Sequence, residues 1–77
     1  MANQGKQYQL IHMTDDCNGH SKETVELVAT KAACTALLYK RATGQPGKPE
    51  VDISPDRTYA GWVTDQDIVH EYRVLPV

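Results

Sequence analysis

Residues 21–44 read SKETVELVATKAACTALLYKRATG, and this stretch decides the predicted fold. It contains no Pro and no Gly before Gly44, and most of its residues have high helix propensity. Ser21 stands where a helix N-cap belongs, basic residues fall in the last turn, and Gly44 is a typical C-terminal stop. The sequence therefore predicts one long helix over residues 22–42.

The apolar residues of this predicted helix form two stripes when they are projected at about 100° per residue. The small-residue stripe is suited to close packing on a sheet, whereas the second stripe needs another cover, either the rest of the chain or a partner molecule. The first stripe consists of Val25, Val28, Ala29, Ala32, Ala36 and Tyr39, and the second of Leu27, Cys34 and Leu38.

Segments with strand character flank the predicted helix. Residues 6–13 alternate in polarity, residues 51–53 suit a short edge strand, and residues 58–63 suit a strand that contains a glycine. Residues 44–50 contain two prolines and read as a loop. With a last strand over residues 68–77, the chain is predicted to be an α+β fold, a long helix packed on a small antiparallel sheet in the order β-α-β-β-β.

The last segment has an alternative. Thr64 to Asp67 resembles a helix cap, and the apolar residues that follow it also suit helical spacing. We favour a hairpin over residues 65–75, because Val, Ile and Tyr prefer strands and Pro76 follows closely.

The chain has 77 residues, which predicts a single domain over residues 1–77, with residues 1–5 frayed. It contains no Phe and one Trp, Trp62, which is expected to anchor the core. A chain of this length buries only about 60% of its unfolded surface, so its core is small. A partner or a second copy is one way to add buried surface.

Charge divides the chain into two parts. Residues 1–49 carry six Lys or Arg and four Asp or Glu, whereas residues 50–77 carry two and six. We expect this acidic part to contact a basic partner, because opposite charge steers association. The predicted partner-binding residues are the acidic Asp52, Asp56, Asp65, Asp67 and Glu71, together with Leu27 and Leu38 of the second helix stripe.

The segment His12-Met-Thr-Asp-Asp-Cys-Asn-Gly-His20 holds the densest group of metal-capable side chains. A zinc site needs about four converging ligands, but this spacing matches no paired-cysteine pattern. A calcium loop fails because Val25 falls at the position that requires a carboxylate. We therefore expect a polar turn with no metal and no other cofactor. A small metal-binding protein that uses the His12–His20 turn stays open as an alternative.

Catalysis and other classes of partner have little support in the sequence. Cys17 precedes the predicted helix with histidines nearby, but nothing supplies an oxyanion hole, so no enzyme activity and no catalytic residue are expected. Basic residues are not interleaved with aromatic ones, which argues against nucleic-acid binding. No apolar run suits a signal peptide or a membrane span, so two free cysteines in a cytoplasmic protein are expected.

These features predict a small acidic protein-binding or inhibitory module. In size, acidity and layout the chain resembles small modulators encoded by phages or mobile elements, including anti-CRISPR proteins and phage inhibitors of host polymerase. That resemblance is one of format and implies inhibition of a macromolecular complex of the host. A self-associating structural subunit, such as a homodimer, is the alternative from another class.

Overall fold

The computed structural model describes residues 6–16 and 18–77. The elements in chain order are β1 (Tyr8–Asp15), β2 (Ser21–Ala29), α1 (Lys31–Thr43), β3 (Asp52–Ile53), β4 (Tyr59–Val63) and β5 (Val69–Pro76). Within these residues the strands form one antiparallel sheet in the order β2-β1-β5-β4-β3, and α1 packs against one face of it. The predicted α+β class, a helix on an antiparallel sheet, is confirmed.

The predicted helix is wrong over its first half. Residues 21–29 form β2, which pairs with β1 along its whole length, so the order is β-β-α-β-β-β instead of β-α-β-β-β. The β-branched Thr24, Val25 and Val28 favour extended backbone. Pairing with the apolar strand β1 also gives these residues a ladder of backbone hydrogen bonds. Helix propensity, which is summed residue by residue, does not include this contribution.

A turn centred on Asp16 reverses the chain between β1 and β2. The Asp16 carboxylate accepts hydrogen bonds from the backbone N–H groups of Asn18 and His20, at 3.0 and 3.2 Å. Gly19 has a φ of 84°, which glycine adopts without strain. The turn expected here is thus confirmed, but it leads into a strand. Residues 1–5, which were predicted to be frayed, and Cys17, which was predicted to be a free cysteine, lie outside the described residues.

The helix α1 begins nine residues later than predicted. Thr30 is the N-cap, and its hydroxyl accepts a hydrogen bond from the Ala33 N–H at 3.2 Å. The predicted stop at Gly44 is confirmed, since the Gly44 N–H donates to the Lys40 carbonyl at 3.1 Å. The helix has 13 residues, and no helix of the described segments is long and apolar enough to cross a membrane.

The face of α1 that meets the sheet is the opposite of the predicted one. Cys34, Leu38 and Ala42, spaced four residues apart, are buried against the sheet, whereas Ala36 and Tyr39 are exposed. Of the two covers considered for the second stripe, the rest of the chain therefore covers Leu38, which was predicted to bind a partner. Once Val25 and Val28 belong to a strand, the larger apolar side chains left on the helix are the ones that gain most from burial.

The sheet has one covered and one open face. Leu10, Trp62, Tyr72 and Val74 pack beneath α1, which confirms Trp62 as a core anchor. The strand alternative for the last segment is confirmed too, because β5 lies between β1 and β4. The open face carries partly exposed apolar side chains, namely Val25, Val28, Val63 and Leu75.

Candidate functional site

A cleft of about 810 Å³ lies between the 44–50 loop and the ends of β4 and β5. Pro46 and Pro49 line it, and the loop that holds them forms no strand. The strand β3 accordingly pairs with β4 only at Asp52 and Ile53. The volume falls within the range of about 300–1,000 Å³ that is typical of binding pockets.

The lining of the cleft is acidic and apolar. Three carboxylates line it, those of Glu50, Asp52 and Asp65, and no Lys or Arg does. Its apolar lining comes from the two prolines together with Tyr59, Val63 and Val69. A cleft of this kind suits a cationic group on an apolar stem, because carboxylates attract the charge while apolar walls contact the methylene groups.

Gly61, beside this cleft, leaves room for the ring of Tyr59 to lie over it. A Cβ atom added at Gly61 would lie 2.6 Å from the Tyr59 hydroxyl oxygen, so a side chain at this position would displace the ring. The Tyr59 hydroxyl donates a hydrogen bond to Glu71 at 3.1 Å, and Arg73 lies 3.3 Å from the other Glu71 oxygen. Burial, and after it the bond to Glu71, raises the pKa of Tyr59. The charge of Glu71 is therefore engaged within the chain.

Trp62 lines the same cleft and leaves one polar atom unsatisfied. Its side chain is 4% exposed, and its Nε1 has no hydrogen-bond partner among the described residues. The indole ring stacks on His70 with the ring centroids 5.1 Å apart. A buried donor without an acceptor costs about 1–3 kcal/mol.

The residues predicted to bind a partner do not form one surface. Asp52 and Asp65 line the cleft, and Asp67 lies in the same turn as Asp65. Asp56 lies in the turn at the other end of β4, where its carboxylate accepts hydrogen bonds from Ser54 and Thr58. The remaining three lie elsewhere: Glu71 contacts Tyr59, Leu27 packs partly buried against the core, and Leu38 is inside the core.

Glu50 lines the cleft, although sequence reasoning counted it only as part of the acidic segment. The sequence holds no signal for this role, because the cleft depends on where β3 stops.

Comparison with protein-family models, with curated proteins and with solved structures finds no match to this chain. No relative therefore transfers a function to the cleft.

A second polar cluster lies on the covered face of the sheet. His12 Nε2 and His70 Nδ1 are 3.1 Å apart, and the His12 ring stacks on Tyr72 at a centroid distance of 4.5 Å. The pairing of β1 with β2 slips by one residue at Glu26, whose carboxylate lies 3.8 Å from His12 and 3.4 Å from Arg41. These histidines belong to separate predicted strands, and nothing in the sequence indicates that they meet.

Both histidines of this cluster favour the neutral state. Burial lowers the pKa of His12, the neighbouring His70 lowers it further, and the Glu26 carboxylate opposes both effects. Burial lowers the pKa of His70 as well. A neutral pair suits the contact, because one ring nitrogen must donate and the other must accept.

The metal-binding alternative used the turn from His12 to His20, and the structure separates its two histidines. His12 lies on β1 beside His70, whereas His20 lies in the exposed turn, 3.1 Å from Asp16. Within residues 6–16 and 18–77 no group of three His, Cys, Asp or Glu side chains is arranged to hold a metal ion. Cys17, the thiol of that alternative, lies outside these residues.

Proposed function

We propose that this chain is a protein-binding module whose acidic cleft receives basic side chains of another protein. The observation that supports this proposal is the lining of the cleft, with carboxylates from Glu50, Asp52 and Asp65 and no Lys or Arg. Binding also inhibits the partner where the basic surface covered by the cleft is the surface with which the partner binds its own ligand.

The two kinds of lining act at different stages of binding. Carboxylates raise the rate of encounter with a positively charged surface, and this effect weakens as salt is added. Apolar contact with Tyr59, Val63 and Val69 then slows dissociation, because the methylene stem of Lys or Arg leaves water.

Titration of the protein with a synthetic eight-residue peptide rich in Lys and Arg, free of Trp and Tyr, tests this proposal. Trp62 is the single Trp of the chain and lines the cleft, so its fluorescence reports binding. We expect saturable binding that weakens with salt. Glu50→Lys should weaken it by about tenfold, because a like charge then faces the peptide.

The matched control is Glu23→Lys, which makes the same charge change on β2, at the opposite edge of the sheet. Binding to this variant should stay within about twofold of the unmodified protein if the cleft is the site. An equal loss in both variants would indicate attraction to the overall charge, and an absence of saturable binding would refute the proposal.

The open face of the sheet favours a second candidate, a self-associating subunit. Val25, Val63 and Leu75 lie on this face and are 52%, 54% and 41% exposed. The five strands hold 8, 9, 2, 5 and 8 residues, and at about 3.4 Å per residue and about 4.8 Å between strands they present roughly 520 Å². That area is smaller than the roughly 800 Å² per partner of a standard interface and corresponds to a weak, concentration-dependent contact between two copies docked face to face.

Sedimentation equilibrium of the chain between about 10 µM and 1 mM tests this candidate. We expect a rise toward twice the monomer mass with increasing concentration, and its loss in Leu75→Glu. Ala36→Glu places the same carboxylate on the exposed side of α1 and should keep the dimer. A monomer mass throughout would exclude self-association over this range.

A further inference from the structure

We propose that the basic partner binds as an extended strand that adds to β4 beside Val63, in the gap where β3 stops. This inference rests on the proposed function, and it specifies how a basic segment lies in the cleft. Strand addition uses main-chain hydrogen bonds for affinity and alternate side chains for specificity.

The hydrogen-bond ladder shows which way Val63 faces. Thr58 and Thr64 bond toward β5, since the Val74 N–H donates to the Thr58 carbonyl at 2.8 Å and the Thr64 N–H donates to the Ile68 carbonyl at 2.9 Å. The Tyr59 carbonyl instead accepts from Ser54, on the β3 side, at 3.0 Å. Even-numbered residues of β4 therefore bond to β5, and odd-numbered residues, Val63 among them, face β3.

No residue of β3 lies opposite Val63. The register pairs Asp52 with Gly61 and Ile53 with Ala60, which would bring Glu50 opposite Val63, but β3 begins only at Asp52. The N–H and the C=O of Val63 thus point toward the cleft without a strand partner, as they do at an exposed sheet edge.

The cleft beside this edge fits a peptide strand with basic side chains. Glu50 and Asp65 line the space next to Val63, so Lys or Arg side chains of an added strand meet carboxylates. Trp62, whose Nε1 is buried without a hydrogen-bond partner among the described residues, is another residue of this lining. A peptide main chain carries carbonyl acceptors as well as N–H donors.

Backbone N-methylation of the bound peptide tests this geometry without changing the protein. Starting from a Lys/Arg peptide of fixed sequence that binds, each amide is methylated in turn, which removes one donor and keeps every charge. We expect about a tenfold loss at the amide that donates to the Val63 carbonyl. The two neighbouring amides should tolerate methylation, because in an extended strand they point the other way.

Hydrogen exchange at Val63 gives a second measurement. Peptide binding should slow exchange of the Val63 amide at least tenfold, whereas the Trp62 amide, which faces β5, should change little. If the peptide binds but every methylated form binds equally well and Val63 exchange is unchanged, strand addition is excluded and the acidic cleft stands. If no peptide binds at all, the proposed function itself fails.

Discussion

Leu38→Ala should lower the free energy of unfolding by about 2–5 kcal/mol, the range found when buried leucines are truncated. Leu38 is fully buried at the centre of α1 and packs in the same core cluster as Leu10 and Trp62. A small sheet with a single helix has few side chains that can move into the space left behind, so the cavity term is retained. Urea unfolding followed by circular dichroism measures the loss.

The control is Leu75→Ala, which removes the same atoms from a leucine on the open face of the sheet. Leu75 is 41% exposed, so its truncation should cost less than about 1 kcal/mol. If the two substitutions cost the same, α1 does not turn its Leu38 side toward the sheet. If Leu38→Ala does not fold, its loss exceeds the free energy of unfolding of the unmodified chain, and Leu38→Met, which keeps the volume, should fold.

Much of the fold could be predicted from local patterns. The alternating polarity of β1 and β5, the proline-rich loop and the stop at Gly44 all follow from the chemistry of nearby residues. The prediction of a helix over the first half of residues 22–42 was wrong for a physical reason. Residues 21–29 have the composition of either a helix or a strand, and their pairing with β1, a contact between separate segments, decides between the two.

The site was less predictable than the fold. Asp52 and Asp65 were named from charge alone, but the cleft that joins them to Glu50 depends on where β3 stops. Asp56 shows the limit of a charge count, because its carboxylate is used by Ser54 and Thr58 within its own turn. The sequence shows how many carboxylates the chain has, whereas the register of the strands determines which of them lie close together.

The second large effect is expected from the His12–His70 pair, which should make the protein sensitive to mild acid. The folded-state pKa of each histidine is lowered from the ordinary value of 6.5, chiefly by burial. Glu26 and Arg41, which also face His12, act in opposite directions on its pKa, and neither reverses the lowering. Protonation of both rings would also leave two donors facing each other across 3.1 Å.

The sign of the pH dependence follows from linkage. Below pH 6.5 the unfolded chain takes up protons at these histidines before the folded chain does, so the free energy of unfolding falls with pH. The contribution is fully present above pH 6.5 and is lost as the pH falls toward the lowered folded-state pKa values. Each unit of lowering corresponds to about 1.4 kcal/mol. Hydrogen bonds that lower the carboxyl pKa of Asp16 and Asp56 act only below the ordinary value of 3.8, outside this window.

Urea unfolding at pH 7.5 and at pH 5.0 measures this effect in the unmodified chain and in His12→Gln/His70→Gln. Glutamine keeps a donor and an acceptor but does not titrate, so the double variant should lose less stability on acidification than the unmodified chain. His20→Gln makes the same substitution in the exposed turn, outside the pair, and should keep most of the pH dependence. A double variant that loses as much stability between the two pH values as the unmodified chain would show that the pair does not set the acid sensitivity. Its absolute stability at pH 7.5 separately reports the cost of removing the ring stack with Trp62 and Tyr72.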